Sequence, residues 1–208
     1  CNEIVVILHT DGSASVKDNG RGIPVHYMEE EKMTALEAVL SILHAGGKFD
    51  KSNYKHSGGL HGVGLSTVVG LSSRLKVFVY RNNKEYSMVF EKGKKVEDIT
   101  EKPSRGKVGT IIRFIPDDTI FSGIIGFDYD KILKKLKEIS YLCSGLRIEF
   151  IDEVSGKSEV FLNNYGLGDF VKSLADKELV SEPICFSDTK DNIIVDTGTN
   201  KKVTFQFK

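Results

Sequence analysis

Cysteine is scarce in this chain. Its three copies among 208 residues, Cys1, Cys143 and Cys185, stand far apart and form no Cys-x-x-Cys pair. That spacing excludes paired-thiolate zinc motifs and a disulfide framework, and it suits a reducing, cytoplasmic setting. Net charge is missing too: 29 Lys and Arg balance 29 Asp and Glu, with an isoelectric point near 7.1. Such a balance implies no broad basic face, so any contact with DNA is expected to be local or to lie outside the chain. No apolar run reaches the roughly 18 residues that a bilayer-spanning helix needs, and no secretory leader opens the sequence. Internal repeats and low-complexity segments are also lacking. The sequence starts at Cys1, without Met and already close to a strand-like run, and so reads as a fragment.

What is present is the composition of a globular protein, 40% hydrophobic and 28% charged, long enough to bury one sizeable core and part of a second. Its most telling stretch is Ser57-Gly58-Gly59-Leu60-His61-Gly62-Val63-Gly64, which runs into an apolar-periodic segment from Leu65 to Arg74. Glycines before a helix let backbone N–H groups approach an anion, and a helix N-terminus carries about half a positive charge. The stretch reads as a phosphate cradle or, on its own, as a tight loop before a helix. It is not a Walker loop, because no Gly-Lys-Ser/Thr follows. Nor is it a dinucleotide fingerprint, because Thr67 stands where the third glycine belongs.

Upstream, the alternating run Ser13 to Val16 leads into Lys17-Asp18-Asn19-Gly20-Arg21-Gly22-Ile23-Pro24. Asp18 is expected where a strand opens into a loop. Gly20 and Gly22 remove side chains that would block a flat ring, and Ile23 and Pro24 offer apolar walls. Asp18 either caps a turn or accepts a hydrogen bond from an exocyclic amino group.

The remaining pattern is read as alternating strands and helices. Strands are expected at Ile4–Leu8 and Ala14–Lys17, then at Leu75–Tyr80, Glu85–Glu91, Lys95–Ile99 and Gly109–Ile115, and later at Arg147–Asp152 and Ser158–Leu162. Helices are expected over 34–45, from Leu65 toward Arg74, over about 130–144 with an apolar stripe of Ile132, Leu133, Leu136, Ile139, Leu142 and Cys143, and from Leu167 to Leu174. Residues 46–62 read as a long loop of the kind that forms lids. The acidic run Glu29-Glu30-Glu31 reads as a solvated loop or helix entry. Beyond Asp176 the texture changes, with strand-like runs near Ile184–Phe186, Asn192–Asp196 and Lys202–Phe207.

Three motifs in order, Asp-Asn-Gly-Arg-Gly-Ile-Pro from Asp18, Leu-His-Ala-Gly-Gly-Lys-Phe from Leu43 and Ser-Gly-Gly-Leu-His-Gly-Val-Gly from Ser57, resemble the ATPase region of the B-type subunits of bacterial type II DNA topoisomerases. The gyrase type is closest and the topoisomerase IV type second. The resemblance covers essentially the whole chain, within the wider superfamily of gyrase, heat-shock chaperone, histidine kinase and mismatch-repair ATPases. It implies an α/β fold, a two-layer Bergerat sandwich with a mixed sheet of about eight strands and helices on one face. It divides the chain into an ATP-binding domain over 1–176 and the first strands of a transducer domain over 177–208.

The resemblance also implies roles. Asp18 becomes the adenine anchor, assisted by Thr110 through water. Lys48 and Tyr54 fall near the phosphates and in the lid. Gly20, Arg21, Gly22, Ile23, Pro24, Gly59, Leu60, His61, Gly62, Val63, Gly64 and Leu65 complete the ATP-binding set. Arg21 and Arg81 stand at the rim, where aminocoumarin-type inhibitors would bind. His9, His26, His44 and His56 read as structural or surface residues. ATP and Mg2+ are the implied cofactors. DNA, a DNA-cleaving A subunit in an A2B2 assembly and a second ATPase domain are the implied partners.

The family's general-base glutamate and magnesium-holding asparagine would lie upstream of Cys1, so no catalytic residue is assigned within these 208 residues and hydrolysis by this polypeptide alone is not expected. The alternatives are a non-catalytic nucleotide-binding module that controls dimerisation, and a topoisomerase IV subunit.

Overall fold

The computed structural model describes residues 1–44, 62–123 and 126–174, and the backbone of two further strands, 193–196 and 202–205. Eight strands form one sheet: β1 (Glu3–Leu8), β2 (Ala14–Asp18), β5 (Ser72–Arg81), β6 (Lys84–Glu91), β7 (Lys94–Pro103), β8 (Gly109–Pro116), β9 (Arg147–Asp152) and β10 (Lys157–Phe161). Their order is β10-β9-β1-β2-β8-β5-β6-β7. Neighbours are antiparallel except β1 and β9, which run parallel from Glu3 opposite Arg147 to Leu8 opposite Asp152. This is the mixed eight-stranded sheet expected above. Two small hairpins stand apart from it, β3 (Tyr27–Met28) with β4 (Met33–Thr34), and β11 (Ile193–Asp196) with β12 (Lys202–Phe205).

Side chains alternate across each strand, so one face of the sheet gathers Val6, Leu8, Ala14, Leu75, Val77, Val79, Phe114, Ile148 and Phe150. The helices cover that face in two patches. Leu36 and Leu40 of α1 (Ala35–Ser41) and Val69 of α2 (Gly64–Gly70) are buried on β5 and β6 against Leu75, Val77, Val79, Met88 and Phe90. Ile132, Leu133 and Leu136 of α3 (Tyr129–Leu142) pack on β1 and β9 around Phe150, whose ring stacks on Tyr129 at 5.0 Å. Phe114 of β8 borders both patches. The last helix among the described residues, α4 (Leu167–Leu174), adjoins α3 through the tilted ring pair Tyr141 and Phe170.

Several boundaries differ from expectation, each for a tertiary reason. Helix α1 starts as foreseen, with the Thr34 hydroxyl accepting from the Glu37 N–H, but it ends at Ser41 instead of residue 45. Ile42 adopts extended geometry (φ −102°, ψ 125°), which takes Leu43 off the helical stripe and leaves it 60% exposed. The Glu37 carboxylate does not close a reciprocal capping box; it lies 3.0 Å from Lys95 Nζ of β7.

The segment expected to stay helical to Arg74 leaves the helix at Gly70. The carbonyls of Leu71 and Ser72 accept from the Asp117 and Lys92 N–H groups, so sheet pairing captures the chain first. Strand β7 is twice the expected length, drawn out by its ladder with β6. Glu29-Glu30-Glu31 form the turn of the β3–β4 hairpin. The expected lid and the strand near Ile184 lie outside the described residues, apart from Gly62 at the lid's end, as does the boundary near 176.

Candidate functional site

Asp18 is the last residue of β2 and sits opposite Thr110 of β8, which in turn sits opposite Val79 of β5. Register partners share a face, so all three point toward the helices. Thr110 is 5% exposed and Val79 fully buried, while Asp18 keeps partial access to solvent. Two residues back on the same face is Val16, 39% exposed and flanked by Val6 and Ile112. This row lies between the α1–α2 patch and the α3 patch, and among the described residues no helix covers it. Val16 and Ile112 thus line an apolar strip leading to the Asp18 carboxylate, a role the motif reading missed. Their alternation with Asp18 and Thr110 was the available signal.

The loop after Asp18 is shaped by close approach. The Gly20 N–H donates to Asp18 Oδ1 at 2.7 Å, so one carboxylate oxygen is held by backbone and Oδ2 is left for other donors. A Cβ on Gly20 would meet that same Oδ1 at 2.8 Å. Gly22 has φ +73°, and a Cβ there would lie 2.9 Å from the Tyr80 carbonyl oxygen and 3.0 Å from Val79 Cγ1. Gly109 is the tightest point: with φ +124°, its Cβ would lie 2.0 Å from the Asp18 carbonyl oxygen. Only glycine permits the end of β8 to pass the end of β2 at this distance.

Asn19 fastens the loop on its other side. Its side-chain oxygen accepts from the Asn2 and Glu3 N–H groups at 3.0 and 3.2 Å. Arg81, at the end of β5, donates from Nη1 to the Gly22 carbonyl at 3.1 Å. Arg21 is exposed, and Gly22, Ile23 and Pro24 are partly buried. Ile23 and the following Val25 pack against the Leu36–Val77 cluster.

Helix α2 begins at Gly64, preceded by exposed Gly62 (φ +62°) and by Val63, which makes no side-chain cap. Its first N–H groups have no acceptor within the helix, as at every helix start. Leu65, expected in the ATP-binding set, is the second residue of α2 and packs, partly buried, against the core cluster that holds Val69. Lys48, Tyr54, Gly59, Leu60 and His61 lie outside the described residues.

A cavity of about 560 Å³ opens at the other end of the same face, lined by Val68, Leu71, Phe114, Phe121, Phe127 and Ile132 among others. Neither Asp18 nor Thr110 reaches it. Its walls are mostly apolar, whereas the polar groups that could orient a heterocycle converge at Asp18.

Among the described residues no cluster of three or more His, Cys, Asp or Glu is arranged to hold a metal ion, and no helix is long and apolar enough to cross a membrane.

The family model for histidine kinase-, DNA gyrase B-, and HSP90-like ATPases matches residues 1–120. The B subunit of DNA gyrase from Thermus thermophilus is 44% identical, with 94% of this chain and 31% of that protein covered. Its counterpart from Thermotoga maritima, also a DNA gyrase B subunit, is 49% identical over 84% of this chain and 27% of its own length. The B subunit of DNA topoisomerase 4 from Mycoplasma capricolum is 44% identical over 94% of this chain and 30% of that protein. The chain therefore spans about a third of the curated relatives it matches. The crystal structure of the 43K ATPase domain of Thermus thermophilus gyrase B in complex with an aminocoumarin matches with a TM-score of 0.78 at 37% identity, covering 92% of this chain and 49% of that one. A sheet with helices on one face, the Asp18 loop at the end of β2 and the match over 1–120 agree, and the chain belongs to the histidine kinase-, DNA gyrase B- and HSP90-like ATPase family.

Proposed function

We propose that this chain is the ATP-binding part of the B subunit of a type II DNA topoisomerase, and that its nucleotide lies on the open strip of the sheet with its base at Asp18. The observation that carries the reading is the cross-strand pair Asp18–Thr110 at the end of an uncovered apolar row, together with a loop whose glycines leave no Cβ in the way. Asp18 Oδ2 accepts from the exocyclic amino group of adenine, and Thr110 assists through a water. Val16, Ile112, Ile23 and Pro24 supply apolar contact to the base. The N–H groups opening α2 face the phosphates, with Gly62, Val63 and Gly64 keeping that approach free of bulky side chains.

Lys48, Tyr54, Gly59, Leu60 and His61 complete the phosphate side in this reading, and residues 177–208 open the transducer domain. Magnesium would accompany the nucleotide, held mainly by its phosphates and waters. Nucleotide binding is the function assigned to these 208 residues. The whole protein would couple ATP hydrolysis to passage of one DNA segment through another, with a DNA-cleaving A subunit in an A2B2 assembly and with ATPase domains that pair on ATP binding. Identities of 44% and 49% to gyrase relatives and 44% to a topoisomerase 4 relative favour neither strongly; the gyrase assignment rests on the motif wording.

Calorimetric titration with a non-hydrolysable ATP analogue and magnesium tests the reading. The native chain should bind, and Asp18→Ala should weaken binding about ten- to a hundredfold, the cost of about 1–3 kcal/mol for an unpaired buried donor. Equal affinity in a folded variant would remove Asp18 as the anchor.

A further inference from the structure

Arg81 reads from sequence as a rim cation facing a ligand, yet its guanidinium is turned onto backbone. Nη1 donates to the Gly22 carbonyl at 3.1 Å, across 59 residues of chain. That carbonyl belongs to the loop whose close approach to β5 and β8 depends on glycine, with the Gly22 Cα facing the Tyr80 and Gly109 carbonyls. Asn19 ties the loop's start to β1, and the His26 carbonyl, which accepts from the Ala35 N–H at 2.8 Å, ties its far end to α1. Between those fixed points stand two glycines with wide conformational freedom, and the Arg81 bond is a side-chain restraint at their midpoint.

We propose that Arg81 is a positioning residue for the nucleotide site. It holds the Gly22 carbonyl, and through it the Ile23–Pro24 wall, at the distance from Asp18 that a flat base requires. It does not act by neutralising phosphate. This role rests on the nucleotide reading of the site. It also makes a distinctive demand: a ligand without phosphates must feel Arg81 as strongly as one with three, and added salt must not change the effect.

The experiment compares the native 208-residue chain with Arg81→Ala and Arg81→Gln, the second removing the charge while keeping an amide donor. Affinities for a non-hydrolysable ATP analogue and for adenosine are measured by calorimetry at low and high salt. Amide hydrogen exchange is followed at Ile23 and Val25.

The expected result is a loss of about tenfold for both ligands in Arg81→Ala, equal at both salt concentrations, with faster exchange at Ile23 and Val25. Arg81→Gln should lie between that variant and the native chain. A loss confined to the ATP analogue, shrinking with salt and leaving exchange unchanged, would overturn the proposal and make Arg81 a phosphate-facing cation instead. A native chain that binds neither ligand would overturn the nucleotide reading and the assigned role with it. Exchange would still decide the clasp, which unchanged protection in both variants would refute.

Discussion

A methyl group on Gly109 would sit 2.0 Å from the Asp18 carbonyl oxygen, and the backbone there has φ +124°, so two penalties fall on one position. Gly156 offers the contrast: its φ is +70°, but a Cβ would meet nothing within 4 Å. Gly156→Ala should cost only the ~1 kcal/mol or so of a strained residue, whereas Gly109→Ala should cost clearly more and weaken nucleotide binding, because the end of β2 must move. Urea unfolding of the two variants, with titration of the ATP analogue, measures both effects. Equal losses of stability would show that the close approach carries no energetic weight.

At the same scale, the Asp11 carboxyl is drawn down from 3.8 to about 2, chiefly by hydrogen bonds from the Ser13 hydroxyl and N–H, with the Arg113 guanidinium adding to them. A depressed carboxylate pKa stabilises the folded state above its unfolded value, and that stability is lost as pH falls through the folded one. The urea midpoint should therefore decline as pH is lowered from about 4 toward 2, and Asp11→Asn should flatten part of that decline. A variant with the native slope would show that Asp11 contributes nothing to acid unfolding.

At the scale of elements, the strongest local signals were those with a cap at one end and a packed stripe along one side. Helix α3 is the clearest case. The Asp128 side chain accepts from the Lys131 N–H at 3.0 Å, and the stripe of Ile132, Leu133 and Leu136 meets the sheet at Phe150. Asp128→Ala should cost ~1 kcal/mol, seen as a lower urea midpoint with an unchanged slope. Leu36→Ala, which empties a fully buried site between α1 and the sheet, should cost roughly 2–5 kcal/mol.

Elements whose ends are set by distant partners were the ones misjudged. The segment after Gly70 has helical periodicity, yet the Asp117 and Lys92 amides take up its carbonyls, and β7 doubles in length because β6 offers it a ladder. Local propensity is weaker than a row of sheet hydrogen bonds to chain that is remote in sequence.

At the scale of the whole molecule, the sheet joins its first strand to a late one, β1 lying parallel to β9 with Glu3 beside Arg147 and Leu8 beside Asp152. Both apolar patches lie within residues 1–174. A chain cut after Leu174 should thus keep the far-UV circular dichroism of the sheet and a single cooperative unfolding transition; a molten, non-cooperative product would place residues beyond 174 in the same folding unit.

The sequence by itself determined the family, because three motifs stand in order from Asp18, Leu43 and Ser57, and the resemblance they carry made Asp18 the candidate anchor. It also determined most strands and the helix starts, since period and caps are local properties. Only the tertiary structure decided that Thr110 stands opposite Asp18, that Val16 and Ile112 are the open floor beside them, and that Arg81 turns onto the Gly22 carbonyl. Those relations join residues far apart in the chain through strand register, and register is fixed by which faces bury apolar side chains once all eight strands are assembled.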